Sequence, residues 1–213
     1  MYNVIIKYFF IYLGCIYLYY HLLNLKVTFS SQKYISIVTF ICICLSLLTL
    51  FLRLYLPGIA NILPILLLWI ALSCVSLQPQ VTFVTIVISF GISYGTFMSS
   101  NLLLLSFLSP FRFLFSNIPY YFFLLLVGFL GLVIIILLFS IKRLRNGMPF
   151  LTSARFINFG TFICLCFVAL LTYIQLTNYF QIFFVLLVSF LFVSFLAALI
   201  FWWQAQLTKS YLH

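Results

Sequence analysis

Lys142-Arg143-Leu144-Arg145-Asn146-Gly147-Met148-Pro149-Phe150-Leu151-Thr152-Ser153-Ala154-Arg155 holds four of the ten basic residues in a chain of 213 that is 67% apolar and 5% charged. Lys and Arg are strongly penalised in hydrocarbon, so this stretch must lie in water, and an excess of them in a short loop favours the cytoplasmic side of a membrane. Asn146-Gly147 and Met148-Pro149 break the helix between two apolar runs, so the loop turns the chain back. Lys142, Arg143, Arg145 and Arg155 are therefore the expected topology anchor, held at anionic headgroups. Fixing this loop fixes the direction of every neighbouring helix.

Outward from the loop, the composition is that of an integral membrane protein, since globular chains average about 25% charged residues. The lipid bilayer is its first partner. The sequence contains no Asp or Glu, which removes carboxylate proton relays, carboxylate cation sites, the usual Mg²⁺ site and paired-carboxylate hydrolysis. The net charge of +10 does not point to nucleic acid, because the basic residues lie at the edges of apolar runs rather than along one face. Cys15, Cys42, Cys44, Cys74, Cys164 and Cys166 all fall inside apolar runs, where cysteine serves as a small packing residue. The two Cys-x-Cys pairs would put their thiols on roughly opposite sides of a helix, so neither makes a metal knuckle or a redox pair. No metal and no cofactor are expected.

The expected fold is all-α: a single polytopic membrane domain over residues 1–213, with seven spans at about 4–25, 34–56, 59–77, 81–107, 120–141, 156–176 and 182–203 and a tail at 204–213. The first run lacks a small-residue cleavage site and reads as a retained span. Lys7 lies inside it and would have to snorkel outward; without that span the alternative is six crossings. Pro57-Gly58 ends the second span, Pro64 opens the third and Gln78-Pro79-Gln80 is a tight turn into the fourth. With the basic loop inside, the amino terminus is outside and the carboxyl terminus cytoplasmic. Seven basic residues, Lys26, Lys33, Lys142, Arg143, Arg145, Arg155 and Lys209, then face in, against three, Lys7, Arg53 and Arg112, facing out. Trp202-Trp203 suits an aromatic belt at the inner face, and no internal repeat is visible.

Gly91, Gly95, Gly128 and Gly131 are the expected helix-packing residues, within one chain or across a homodimer. At the outer face, Asn61, Arg112, Asn117, Tyr120, Tyr121, Asn178 and Tyr179 lie near span ends. Of these, Asn61, Arg112, Asn117, Tyr120 and Tyr179 are the candidate ligand-binding residues. Arg112, flanked by Phe111, Phe113 and Phe115, can hold a ligand carboxylate or stack on a ring. The reading preferred for these residue types at any interface is that Arg112 snorkels to headgroups while the tyrosines form an interfacial belt.

Four fragments carry a family resemblance: Leu-Leu-Asn-Leu-Lys at 22–26, Ser-Phe-Gly-Ile-Ser-Tyr at 89–94, Lys-Arg-Leu-Arg-Asn-Gly-Met-Pro-Phe-Leu at 142–151, and Trp-Trp-x-x-x-x-Thr-Lys-Ser-Tyr-Leu at 202–212. In this succession the chain resembles the membrane sensor half of bacterial GHKL-type histidine kinases, with Agr-like receptors of peptide signals the nearest relatives. The resemblance implies a receptor for an extracellular small or peptide signal in two-component or quorum-sensing signal transduction, in the bacterial cell membrane. In such kinases the seventh helix continues into a coiled coil with the phosphoacceptor histidine and then an ATP-binding domain. No residue here matches the phosphoacceptor, the ATP-binding asparagine or the glycine-rich lid, so the chain itself is not expected to be an enzyme. It would be a truncated receptor, part of a split gene or a stand-alone descendant.

Two other classes stand beside this one. A membrane cysteine endopeptidase that processes quorum peptides needs a cysteine and a histidine within hydrogen-bond reach. The internal histidine is His21 and its nearest cysteine is Cys15, about 9 Å along and roughly 120° around one helix. A small transporter or accessory subunit is the third class, and without carboxylates or broken symmetric helices it gains little.

Overall fold

The computed structural model describes residues 2–25, 32–56, 59–60, 62–76, 79–108, 120–140, 157, 160–162 and 164. Five helices make up nearly all of it: α1 (Tyr2–Leu22), α2 (Gln32–Tyr55), α3 (Ile62–Ser76), α4 (Pro79–Leu108) and α5 (Tyr120–Ser140), with no strand among the described residues. Asn3–Leu22, Ile35–Tyr55 and Pro79–Asn101 are long and apolar enough to cross a membrane by length and composition, while Ile62–Cys74 and Tyr121–Leu137 are shorter apolar helices. At 1.5 Å per residue, twenty residues match a hydrocarbon core of about 30 Å. The expected sixth and seventh spans fall almost wholly outside the described residues, as do the basic loop at 142–155 and the tail at 204–213.

Local chemistry sets the helix ends. Asn24 takes a left-handed conformation, φ 50°, just past α1. The Leu25 N–H reaches back to the Tyr20 carbonyl at 3.0 Å and the Asn24 N–H to His21 at 3.1 Å. This is a Schellman closure with asparagine where glycine is commonest, and it ends α1 at Leu22 rather than Leu25. Pro64 and Pro79 lie in the first turns of α3 and α4, where a missing N–H costs nothing. The Trp69 indole donates to the Pro79 carbonyl at 2.8 Å and its ring meets Phe83 edge-on, pinning α3 to the start of α4.

Sequence made the first span the weakest, yet α1 is the hub: it packs against α2, α4 and α5, while α3 rests chiefly on α4. Tyr8, Ile11, Tyr12, Cys15, Leu18, Tyr19 and Leu22 recur every three to four residues along α1 and are all buried. Neighbours alternate in direction. Tyr8 and Tyr12 meet Arg53 and Thr49 of α2 in antiparallel order, and Ile11 and Cys15 meet Ser93 and Ile86 of α4 likewise. Phe10 and Gly14 meet Gly128 and Ile135 of α5 in parallel order.

α2 shows how an apolar helix can divide its circumference. Val38, Cys42, Leu45, Ser46, Thr49 and Leu52 form its buried stripe, whereas Ile37, Phe40, Ile41, Leu47, Phe51 and Leu54 are exposed. Such a surface would be penalised in water and is at home against lipid tails. Several hydroxyls within these helices bond locally: Ser46 donates to Cys42, Thr85 to Val81 and Thr96 to Ile92, each one turn back.

Candidate functional site

The chemistry concentrates where α1, α2 and α4 meet. Lys7 lies five residues into α1, about 7.5 Å along the helix from Tyr2, and Arg53 lies in the last turn of α2. The antiparallel packing of these two helices brings both basic side chains to Tyr8. The Arg53 Nη2 donates to the Tyr8 hydroxyl at 2.8 Å, with Cζ 5.1 Å from the ring centroid. The Lys7 Nζ lies 5.6 Å from the same centroid and 5.0 Å from that of Tyr94 on α4.

The rings themselves form a continuous wall. Tyr8 and Tyr12 are 5.9 Å apart, Tyr12 and Phe90 6.1 Å, and Phe90 stacks on Tyr94 at 6.0 Å. With Lys7 over both Tyr8 and Tyr94, the contacts close into a circuit. One turn deeper, the Tyr12 hydroxyl and Thr49 Oγ1 are 2.7 Å apart. Because Thr49 gives its own proton to the Leu45 carbonyl at 2.8 Å, Tyr12 is the donor in that pair.

Sequence expected Lys7 to snorkel outward. The structure holds its ammonium over two aromatic faces instead, half-buried between α1 and α4. The electron-rich faces offer part of the stabilisation that water would otherwise give a cation. Arg53 remains exposed, and a guanidinium has five N–H donors, of which the Tyr8 bond takes one. The cluster thus offers positive charge and spare donors in front of a buried aromatic layer. It contains no nucleophile paired with a base.

Of the candidate ligand-binding residues, Asn61, Arg112, Asn117 and Tyr179 lie outside the described residues, and Tyr120 opens α5. The neighbouring Tyr121 is exposed. The anchor residues Lys142, Arg143, Arg145 and Arg155 also lie outside. Gly91 and Gly95 are buried on α4, but a Cβ built on Gly95 would meet nothing within 4 Å. Gly128 lies flat against the Phe10 ring, and a Cβ on Gly131 would come to 3.6 Å from Ser100 Oγ and 3.7 Å from the Phe97 Cα. A comparably close approach involves a residue sequence did not single out, Gly14, whose Cβ position is filled by the Ser93 hydroxyl.

Cys15 and His21 both lie on the continuous helix α1 and cannot meet directly. The Cys15 thiol points to the Ile86 carbonyl at 3.8 Å, and His21 stacks on Tyr17 at 6.0 Å. Among the described residues, no three His, Cys, Asp or Glu side chains gather to hold a metal ion.

Sequence reasoning missed the Lys7–Arg53 cluster, although a signal was present. Each is an ionisable residue inside an apolar run, which is a functional hypothesis by default. Counting them only as outer-side charges hid their approach to one another. No protein-family model, curated protein or solved structure matches the chain.

Proposed function

We propose that the chain is a membrane-embedded sensor or receptor domain, of the kind that forms the membrane half of a two-component histidine kinase. It detects an extracellular small molecule or peptide and passes the signal to a separate catalytic module. In this reading the chain crosses the membrane about seven times, with the amino terminus outside and the carboxyl terminus in the cytoplasm. The observation that carries it is the cation–aromatic circuit of Lys7, Tyr8, Arg53 and Tyr94. It joins three helices at the end of the bundle that the charge count assigns to the outside. A site spanning α1, α2 and α4 is where occupancy can bias two packings of the helices, which any sensor requires.

Reporter fusions at Asn146 and after His213 test the topology, with cytoplasmic signals expected at both. A chimera joining residues 1–213 to the kinase module of a GHKL kinase tests the signalling. Its autophosphorylation in proteoliposomes should change when Arg53→Gln breaks the bond to Tyr8. An extracytoplasmic signal at Asn146 would overturn the orientation. Cleavage of a precursor peptide by the chain alone, lost in Cys15→Ala, would replace the sensor with a peptidase.

A further inference from the structure

The basic pair poses an electrostatic problem for which the chain has no acidic side chain. Lys7 and Arg53 share the Tyr8 ring, at 5.6 and 5.1 Å from its centroid. Both lie on helices long and apolar enough to cross a membrane. Two like charges beside one ring repel, and in low-dielectric surroundings the repulsion is poorly screened. A carboxylate is one means of settling such a pair, and this sequence contains no Asp or Glu. No packing of any part of the chain can therefore bring an acidic side chain to the site. Hydroxyls and rings do what they can: Tyr8 accepts one Arg53 N–H at 2.8 Å, and Tyr8 and Tyr94 face the Lys7 ammonium. Neither supplies a negative charge.

We infer that Lys7 and Arg53 bind one oxyanion, a phosphate or carboxylate group. Both residues have the chemistry for it. A guanidinium fork matches the two oxygens of either group, and an ammonium adds a mobile third contact. Behind the charges, Tyr8, Tyr12, Phe90 and Tyr94 form a continuous aromatic layer that backs the site rather than lining it, since Tyr8, Tyr12 and Phe90 are buried. Access is given by Arg53, which is exposed while Tyr8 behind it is fully buried. Since Lys7 is on α1 and Arg53 on α2, the bound oxyanion bridges the two helices and replaces their mutual repulsion with attraction to a common partner. A phospholipid headgroup and a free anionic ligand present the same chemistry. The site is independent of the seven-span and kinase readings, because it rests only on the contacts of α1, α2 and α4.

The test uses the full chain in dodecyl maltoside, which carries neither charge nor phosphate. The thermal midpoint is followed during titration with inorganic phosphate, and separately with phosphatidylglycerol, against chloride at equal ionic strength. Phosphate or phosphatidylglycerol should raise the midpoint where chloride does not. Lys7→Gln and Arg53→Gln should each weaken the apparent affinity by about tenfold or more, the effect of losing one charged hydrogen bond, with Arg53→Lys in between. Without added anion, Lys7→Gln should be no less stable than the parent, because one repelling charge is gone. A response to inorganic phosphate assigns the site to a free oxyanion, and one to phosphatidylglycerol alone assigns it to a lipid headgroup. The inference is overturned if neither exceeds chloride, or if both Gln variants respond as the parent does. A silent kinase chimera would not touch it.

Discussion

Gly14→Ala should destabilise the bundle even though alanine is the better helix former. The added methyl would fall on the Ser93 hydroxyl, with the Ile135 Cδ1 at 3.2 Å and the Ser93 Cβ at 3.3 Å. The hydroxyl can rotate away, but only by giving up its bond to the Ile11 carbonyl at 2.8 Å. Hydrogen bonds between membrane helices contribute about 0.6 kcal/mol on average and up to about 1.7. The two remaining contacts are tighter than ordinary packing, and overfilling of this kind costs about 1–3 kcal/mol. Against these stands a helix-propensity gain of about 1 kcal/mol. The net loss should be about 1–3 kcal/mol, read from urea or dodecyl sulfate unfolding in mixed micelles. Ser93→Ala should cost less than about 1.7 kcal/mol, and adding it to Gly14→Ala should recover part of the loss, since the hydroxyl is the nearest obstacle. Gly95→Ala is the control: with open space at its Cβ it should be neutral or more stable by up to about 1 kcal/mol. Equal stability of Gly14→Ala and Gly95→Ala would refute the reasoning.

At the end of α1, Asn24→Gly should be neutral or mildly stabilising, whereas Asn24→Val should cost about 1–2 kcal/mol for the left-handed backbone; the same unfolding assay distinguishes them. Tyr12→Phe and Thr49→Val, run as a double-mutant cycle, should show a coupling of about 0.6–1.7 kcal/mol for the bond at 2.7 Å, and additive losses would remove that bond. In a background with Trp69, Trp202 and Trp203 changed to Phe, tryptophan at position 40 or 129 should be quenched by brominated lipid. Phe40 and Phe129 are both 67% exposed on the bundle surface, and unquenched emission from both would show those faces to be covered by protein.

The described helices were largely legible because length and apolarity decide them. Pro64 and Pro79 lie in the first turns of α3 and α4, where proline is harmless, although the expected spans begin at 59 and 81. Asn24 is legible in principle as a cap, but the apolar Leu25 beyond it extends the run by one residue. What sequence could not rank was burial. α2 is apolar on its packed and exposed faces alike, so no periodicity separates Leu45, which is buried, from Leu47, which is not. α1 seemed weakest because Lys7 interrupts its apolar run, yet that lysine is absorbed by Tyr8 and Tyr94, and Tyr94 is 87 positions away in sequence. The candidate site was hidden for the same reason: Lys7 and Arg53 meet only once α1 and α2 pack. Small-residue spacing flagged the α4 and α5 glycines, whereas Gly14 has no small partner on its own helix and its counterpart, Ser93, lies elsewhere.

The central place of α1 also has a consequence in time. Of the five helices it leaves the ribosome first, but Ile11 must wait for Ser93, 82 residues later. At about 5–20 residues per second that wait is on the order of four to sixteen seconds. Tyr8 and Tyr12 can meet Arg53 and Thr49 of α2 midway, but Lys7 lacks the Tyr94 ring until the end. Birth order and packing order therefore run against each other in this chain, and its yield in the cell should depend on whatever shelters the first helix until the fourth arrives.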